Sequence, residues 1–331
     1  MVKNLTNTDK RSIRIARQAI EKLGLNLEGK VVVTETGSNF YKFTPIIALL
    51  AGAKKVIAYV ADSNYGKAAD ISKGTKALEA ALSVNNRLII RENTVNKNDF
   101  TEADIITNSG FLRPLDRKKL ANVGPNCVIP LMFEAWELRQ EDIDIEYCKK
   151  RRIKVAGTWE NHPLINVFPG IRVLAVKIAL DAGYELIGNN IAVWSDDHFG
   201  QEAAAGFRAM GAKEVFITTD YVELRERLDR LDFIFVCDYD EDRPYFGTNS
   251  VWDIADFSSA AIPVGIVKLY GHFPDDNQAV YPRHHTHARQ MSYTLGHLGP
   301  KLILELLTAG FRVAQHMLEG TTSRLVQPIT F

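Results

Sequence analysis

The chain has little of any residue whose abundance would point to an unusual environment. Three cysteines occur in 331 residues. Cys127, Cys148 and Cys237 are far apart and form no Cys-x-x-Cys pair, which excludes a disulfide framework or a thiolate zinc site and suits reduced, cytoplasmic thiols. A surplus of one charge is missing too: 40 lysines and arginines balance 40 aspartates and glutamates. Lys149-Lys150-Arg151-Arg152 is the longest basic run, so the electrostatic footprint of a nucleic-acid binder is absent. Charge or proline breaks every apolar stretch well short of a membrane span, and Met1-Val2-Lys3-Asn4 leads into a charged amphipathic pattern rather than a signal segment. The expectation is a cytoplasmic protein with a small-molecule partner, neither nucleic acid nor membrane, and a homodimer by the prior for such proteins.

What is present is an ordinary globular composition, 46% apolar and 24% charged, with length enough for two cores. Ile13, Ala16, Ala19, Ile20 and Leu23 recur at helical spacing, and Gly24 ends that helix. Short runs rich in valine and isoleucine follow at 30–34, 55–61, 87–91, 103–107, 127–132 and 153–156. They are apolar throughout, as strands of a parallel sheet covered on both faces are. Helical patterns near 44–51, 67–82 and 114–121 lie between them. A long helical pattern at about 164–184, broken by Pro169-Gly170, reads as a link to a second sheet with strands at 190–194, 214–219, 232–237 and 262–269. Residues 270–299 are polar and irregular; Pro300 starts a last helix that Gly320 closes. The expected fold is α/β: two doubly wound, Rossmann-like parallel-sheet domains with a cleft between them. Residues 1–164 plus 300–331 form a substrate-type domain, 165–184 a linking helix and 185–299 a dinucleotide-type domain.

The most specific pattern lies at 190–220. A strand, Asn190-Ile191-Ala192-Val193-Trp194, the turn Ser195-Asp196-Asp197-His198-Phe199-Gly200, a helix and a second strand follow in order. This is the layout of the dinucleotide fingerprint Gly-x-Gly-x-x-Gly, and Asp220 stands 20 residues beyond the last glycine, where an acid holds a ribose hydroxyl. Ser195 and Asp197 occupy the first two glycine positions; Gly200 keeps the third. The second glycine lets the backbone approach a pyrophosphate, so a carboxylate in its place opposes one. The fold signal is therefore stronger than the cofactor signal. His198 in this turn either caps the helix or faces a ligand.

In open parallel sheets ligands bind beyond the carboxyl ends of the strands. In the first domain those positions carry Glu35-Thr36-Gly37-Ser38-Asn39, Asp62-Ser63, Asn108-Ser109-Gly110, Glu134 and Thr158-Trp159-Glu160-Asn161-His162. Polar loops and caps account for any one of these, but their convergence on one sheet edge argues for a binding site. Glu35, Thr36, Gly37, Ser38, Asn108, Glu160 and His162 are the candidate substrate residues. The Glu35 turn also precedes an acid, Asp62, 25 residues after Gly37, a layout that resembles the first motif of S-adenosylmethionine-dependent methyltransferases. A structural turn, an anion or substrate loop and a methyl-donor site are all open for it.

The segment Tyr281-Pro282-Arg283-His284-His285-Thr286-His287-Ala288-Arg289 is rich in imidazole, which exchanges protons near neutral pH and ligates metals. His285 with His287 has the spacing to chelate from an extended loop. No carboxylate or cysteine accompanies the pair at ligand spacing, so no metal is expected. Acid-base work by His284, His285 or His287 and an exposed loop with incidental histidines are the alternatives.

In order, a sheet domain, a bridging helix, a unit running from Ile191-Ala192-Val193-Trp194 to Phe199-Gly200, the Pro282-Arg283-His284-His285 segment and a closing helix resemble the D-isomer-specific 2-hydroxyacid dehydrogenases. More distantly they resemble the adenosylhomocysteinases. The resemblance implies that His284 or His285 is the acid-base partner of a hydride transfer. It departs from the family where a substrate arginine in an Ala-Arg-Gly motif belongs, since this chain has Cys237-Asp238-Tyr239-Asp240-Glu241-Asp242-Arg243-Pro244. The expected function is oxidation or reduction of a small polar, carboxylate-bearing metabolite with NAD or NADP. NAD is preferred because Asp220 opposes a 2′-phosphate, and Ser195, His198, Gly200 and Asp220 are the cofactor candidates. The rival is a non-redox enzyme or binding protein for a nucleotide, S-adenosylmethionine or an amino-acid-like ligand on the same scaffold.

Overall fold

Local signals fix the first helix in the computed structural model, which describes residues 5–329 apart from 83, 85, 166, 260–263 and 274–278. Thr6 accepts the Asp9 amide at 3.0 Å, and Gly24, at φ 62°, closes Asn7–Leu23 in the left-handed conformation that glycine adopts without steric cost.

Six strands follow: β1 (Val31–Glu35), β2 (Lys55–Val60), β3 (Leu88–Glu92), β4 (Ile105–Ile106), β5 (Val128–Pro130) and β6 (Lys154–Thr158). A second set comprises β7 (Asn190–Trp194), β8 (Glu214–Thr218), β9 (Phe233–Val236), β10 (Gly265–Lys268) and β11 (Val280–Tyr281). The last strand, β12 (Val326–Pro328), pairs antiparallel with β6; every other pairing is parallel. The sheet orders are β12-β6-β5-β4-β1-β2-β3 and β11-β10-β9-β7-β8. Both are doubly wound, and the winding reverses between β1 and β4 in the first sheet and between β7 and β9 in the second. At such points the connections leave in opposite directions and open a crevice for a ligand.

The chain divides into two units, Met1–Asn166 with Gly299–Phe331, and Val167–Leu298. In the second unit alternate strand residues enter different cores. Ile191, Val193, Phe233 and Phe235 pack with Ile171, Leu174 and Phe207, whereas Ala192, Trp194, Ile234 and Val236 pack with Leu224, Tyr245 and Trp252. That division is why these strands read as unbroken apolar runs. The helix Pro169–Asp181 belongs to this unit and lies against His198–Ala209, where a Cβ on Gly206 would come within 2.7 Å of the Arg172 carbonyl oxygen. In the first unit Val33, Ile57, Ile106 and Ile129 share one core with Phe100, Leu120 and Cys148. The helices Asn7–Leu23, Thr44–Leu50 and Pro300–Glu319 pack together, the last also against β5 and β6.

Neither β11 nor β12 is announced by the sequence, because two or three residues are too few to show a period. Among the described residues no helix is long and apolar enough to cross a membrane.

Candidate functional site

Hydroxyl groups tie β1 to β4 at the first reversal point: Thr34 and Thr107 Oγ1 atoms are 2.8 Å apart, and Thr107 Oγ1 is 2.7 Å from Ser109 Oγ. Glu35 and Asn108 come next along these strands. Glu35 is 7% exposed, and its carboxylate lies so close to Gly110 that a Cβ there would overlap Oε2. Burial raises the Glu35 pKa to about 7, against smaller lowering contributions from Arg113 and the Phe111 amide. Asn108 is 1% exposed, yet neither its side-chain oxygen nor its nitrogen has a hydrogen-bond partner. The buried hydroxyl of Thr158, at the end of β6, is also unpartnered. An unmet buried polar group costs on the order of 1–3 kcal/mol. A ligand or water that completes the set is the usual reason such a cost is tolerated.

Beyond β5 and β6 the same edge is acidic. Glu134 Oε1 accepts the Glu160 amide at 2.9 Å, its Oε2 accepts the Trp136 indole N–H, and its own amide donates to Glu137 at 3.1 Å. Burial raises the pKa of Glu137, and burial followed by the charges of Glu137 and Glu134 holds Glu160 well above the usual carboxylate range. Tyr41 links this cluster to Glu35. Tyr41 is 38% exposed as a residue, and burial, then the carboxylates of Glu35 and Glu160, push its phenol up to about 12.

The substrate residues expected from the sequence thus divide. Glu35, Asn108 and Glu160 meet on this edge. Thr36 Oγ1 is 2.6 Å from Thr75 Oγ1, Gly37 makes room for Tyr41, and Ser38 precedes the turn Asn39–Phe43 without capping it. His162 Nδ1 accepts the Leu164 amide at 3.3 Å within its own turn. Asp62 accepts the Ala68 amide at 2.9 Å and pairs with Lys67 at 3.2 Å, so the acid of the methyl-donor layout starts a helix. Tyr41, Arg113 and Glu137 were not among the candidates, because they lie several residues past strand ends.

In the second unit the fingerprint turn is filled from within. Asp197 caps His198–Ala209, its Oδ1 accepting the amides of Phe199 at 2.7 Å and Gly200 at 3.3 Å. Ser195 Oγ donates to the same Oδ1 at 2.9 Å and to the Cys237 carbonyl at 3.3 Å. A Cβ on Gly200 would lie 2.5 Å from the Ser195 Cβ, so Gly200 serves packing. Across the reversal point Asp238 is 8% exposed; burial, then Asp196, then Asp197 raise its pKa to about 6. These residues do not fit a pyrophosphate at the turn, since the amides that would bind it are taken and the surroundings are anionic. Asp220 caps Tyr221–Arg227 by accepting the Val222 amide at 2.8 Å. His198 packs its ring on Phe168 and Phe199 at centroid distances of 4.3 Å each. Arg243 is exposed and pairs with Glu241 at 2.7 Å.

The histidine segment also lies at the carboxyl end of its sheet. Lys268 ends β10, is 1% exposed, and donates to the His284 carbonyl at 2.7 Å; burial lowers its pKa to about 8. Burial, then Lys268, then His297 lower the His284 pKa and favour a neutral ring. His285 and His287 rings lie 4.3 Å apart, and His272 joins them from the segment after β10.

No family model matches the chain, and no curated protein matches it in sequence. Solved structures do match its fold. A dipicolinate synthase chain of Bacillus subtilis superposes with a TM-score of 0.55 at 14% identity, over 90% of this chain and 99% of that one. Its counterpart in the dipicolinate synthase of Bacillus halodurans gives 0.50 at 14% identity, over 86% and 96%. The chain therefore has the fold of these structures, with two Rossmann-like parallel-sheet units in tandem.

Proposed function

We propose that the protein is an enzyme of dehydrogenase-like build that acts on a small polar metabolite at the carboxyl edge of the first sheet, with Glu35 moving a proton. The observation that carries the reading is that buried Glu35, its pKa pushed up to about 7, stands at the end of β1 beside Asn108, whose buried amide is unmet at the neighbouring strand end. General acid-base groups work best with a pKa near the working pH, and an unmet amide positions a substrate by hydrogen bonds. Glu160 and its acidic neighbours favour an amine or hydroxyl on the ligand, while Arg113, which also pairs with Asp142 at 3.5 Å, offers a cation to a carboxylate. A small amino-acid-like or hydroxy-acid metabolite suits both. A homodimer in the cytoplasm is the setting proposed for it.

Nicotinamide-dependent oxidoreduction, NAD before NADP, is the second reading, favoured by the family resemblance of the sequence and by the histidine segment at the carboxyl end of the second sheet. In it His284, His285 or His287 carries the proton and the dinucleotide phosphates bind away from the turn that Asp197 closes. Thermal-shift titration separates the readings, because a ligand of the native state raises the melting temperature. The first predicts a shift with members of an amino-acid and hydroxy-acid panel, lost in Glu35→Gln and Asn108→Ala. A shift with NADH or NADPH supports the second, and one with S-adenosylmethionine supports a methyl-donor site at the Glu35 turn. A panel whose shifts are indifferent to both substitutions contradicts the first.

A further inference from the structure

We infer that His272, His285 and His287 form a site for one divalent transition-metal ion of the zinc type. Register comes first. Phe273 and Thr286 pair in an antiparallel bridge, the Phe273 amide donating to the Thr286 carbonyl at 3.1 Å. Both side chains turn inward: Phe273 is 2% and Thr286 0% exposed, and Thr286 Oγ1 donates to the Gly271 carbonyl at 2.7 Å. Side chains alternate across extended backbone, so the residues flanking this inward pair face outward together. Among the described residues those are His272, His285 and His287.

One ligand nitrogen from each histidine lies within 4.8 Å of the others. Ring centroids are 4.3 Å apart for His285 and His287, and 6.0 and 6.1 Å from His272 to each. A tetrahedral ion with bonds of about 2.0–2.1 Å needs nitrogens about 3.3 Å apart, a closure that rotation of two exposed rings supplies. His272 Nδ1 is 3.4 Å from the Asp242 carbonyl oxygen, an outer bond that fixes the tautomer and leaves Nε2 for the ion. The Tyr245 amide, donating to the His272 carbonyl at 2.9 Å, holds the backbone there. Arg289, close in sequence, is directed to Asp242 at 3.4 Å and Asp240 at 4.0 Å, which offsets its repulsion of a cation.

Three neutral imidazoles select Zn2+, Cu2+ or Ni2+ over Mg2+ and Ca2+, which require oxygen ligands. Three protein ligands leave the fourth position to water, as in an open site. The site lies in the second unit and is independent of the role given to Glu35.

The test is calorimetric titration of the chelator-treated, full-length chain with Zn2+. One ion should bind per chain with a micromolar or tighter Kd. His272→Gln and His287→Gln should each weaken binding about 100-fold or more, given that loss of even an outer partner costs 10–100-fold, while His162→Gln changes nothing. Co2+ should give the intense visible bands of a tetrahedral ion in the wild type and not in either variant. His287 is exposed, so its variant keeps the test decisive should His272→Gln fail to fold. Wild-type binding no tighter than that of His287→Gln overturns the inference.

Discussion

Oδ1 of Asp197 accepts the amide of Phe199 at 2.7 Å. That bond places a carboxylate of the chain itself where a dinucleotide turn would hold a phosphate. Asp197→Ala should lower stability by about 1 kcal/mol, the usual worth of a helix cap, read as the shift of a urea unfolding midpoint. Inorganic pyrophosphate should leave the wild-type melting temperature unchanged. A clear rise with pyrophosphate in the wild type would show that the turn still accepts phosphate.

Glu35 makes stability depend on pH with a defined sign. Its folded-state pKa, about 7, exceeds the ordinary 4.5, so the folded protein binds the proton more tightly than the unfolded chain does. The associated stability is complete below pH 4.5 and is lost as pH rises through about 7. Glu35→Gln, which keeps the shape without the charge, should therefore gain on the wild type as pH rises, by up to about 3 kcal/mol at pH 8 given about 1.4 kcal/mol per pKa unit. Urea unfolding at pH 5 and pH 8 checks it, and an equal difference at both contradicts the assignment.

Gly200 and Ser195 should be coupled. Gly200→Ala brings a methyl group to 2.5 Å from the Ser195 Cβ and should cost about 1–3 kcal/mol by overpacking. In a Ser195→Gly background the same change should cost much less. A double-mutant cycle measures this; additive losses would mean that the turn relaxes in another way.

Much of the fold was legible because the strands are buried on both faces. Runs such as Ile191 to Trp194 carry no polar interruption, and Gly24, Pro300 and Gly320 mark helix ends by backbone chemistry alone. The candidate site was legible in part. Glu35, Asn108 and Glu160 stand next to strand ends, whereas Tyr41, Arg113 and Glu137 reach the edge only through the path of later turns. Asp220-Tyr221-Val222-Glu223 has the acid-x-x-Glu pattern of a helix start, a local signal that matches its capping role. His272 stayed hidden for a different reason: it meets His285 and His287 through the bridge of Phe273 to Thr286, and no spacing along the chain encodes a register between strands.

The central claim is that the carboxyl edge of the first sheet holds a carboxyl group poised at neutral pH. Carbon-13 NMR titration of the glutamate side-chain carboxyls, in wild type and Glu35→Gln, tests it without knowledge of a substrate. The account predicts a resonance absent from the variant that titrates with a midpoint of about 7. A Glu35 resonance that titrates at the ordinary 4.5 would contradict it.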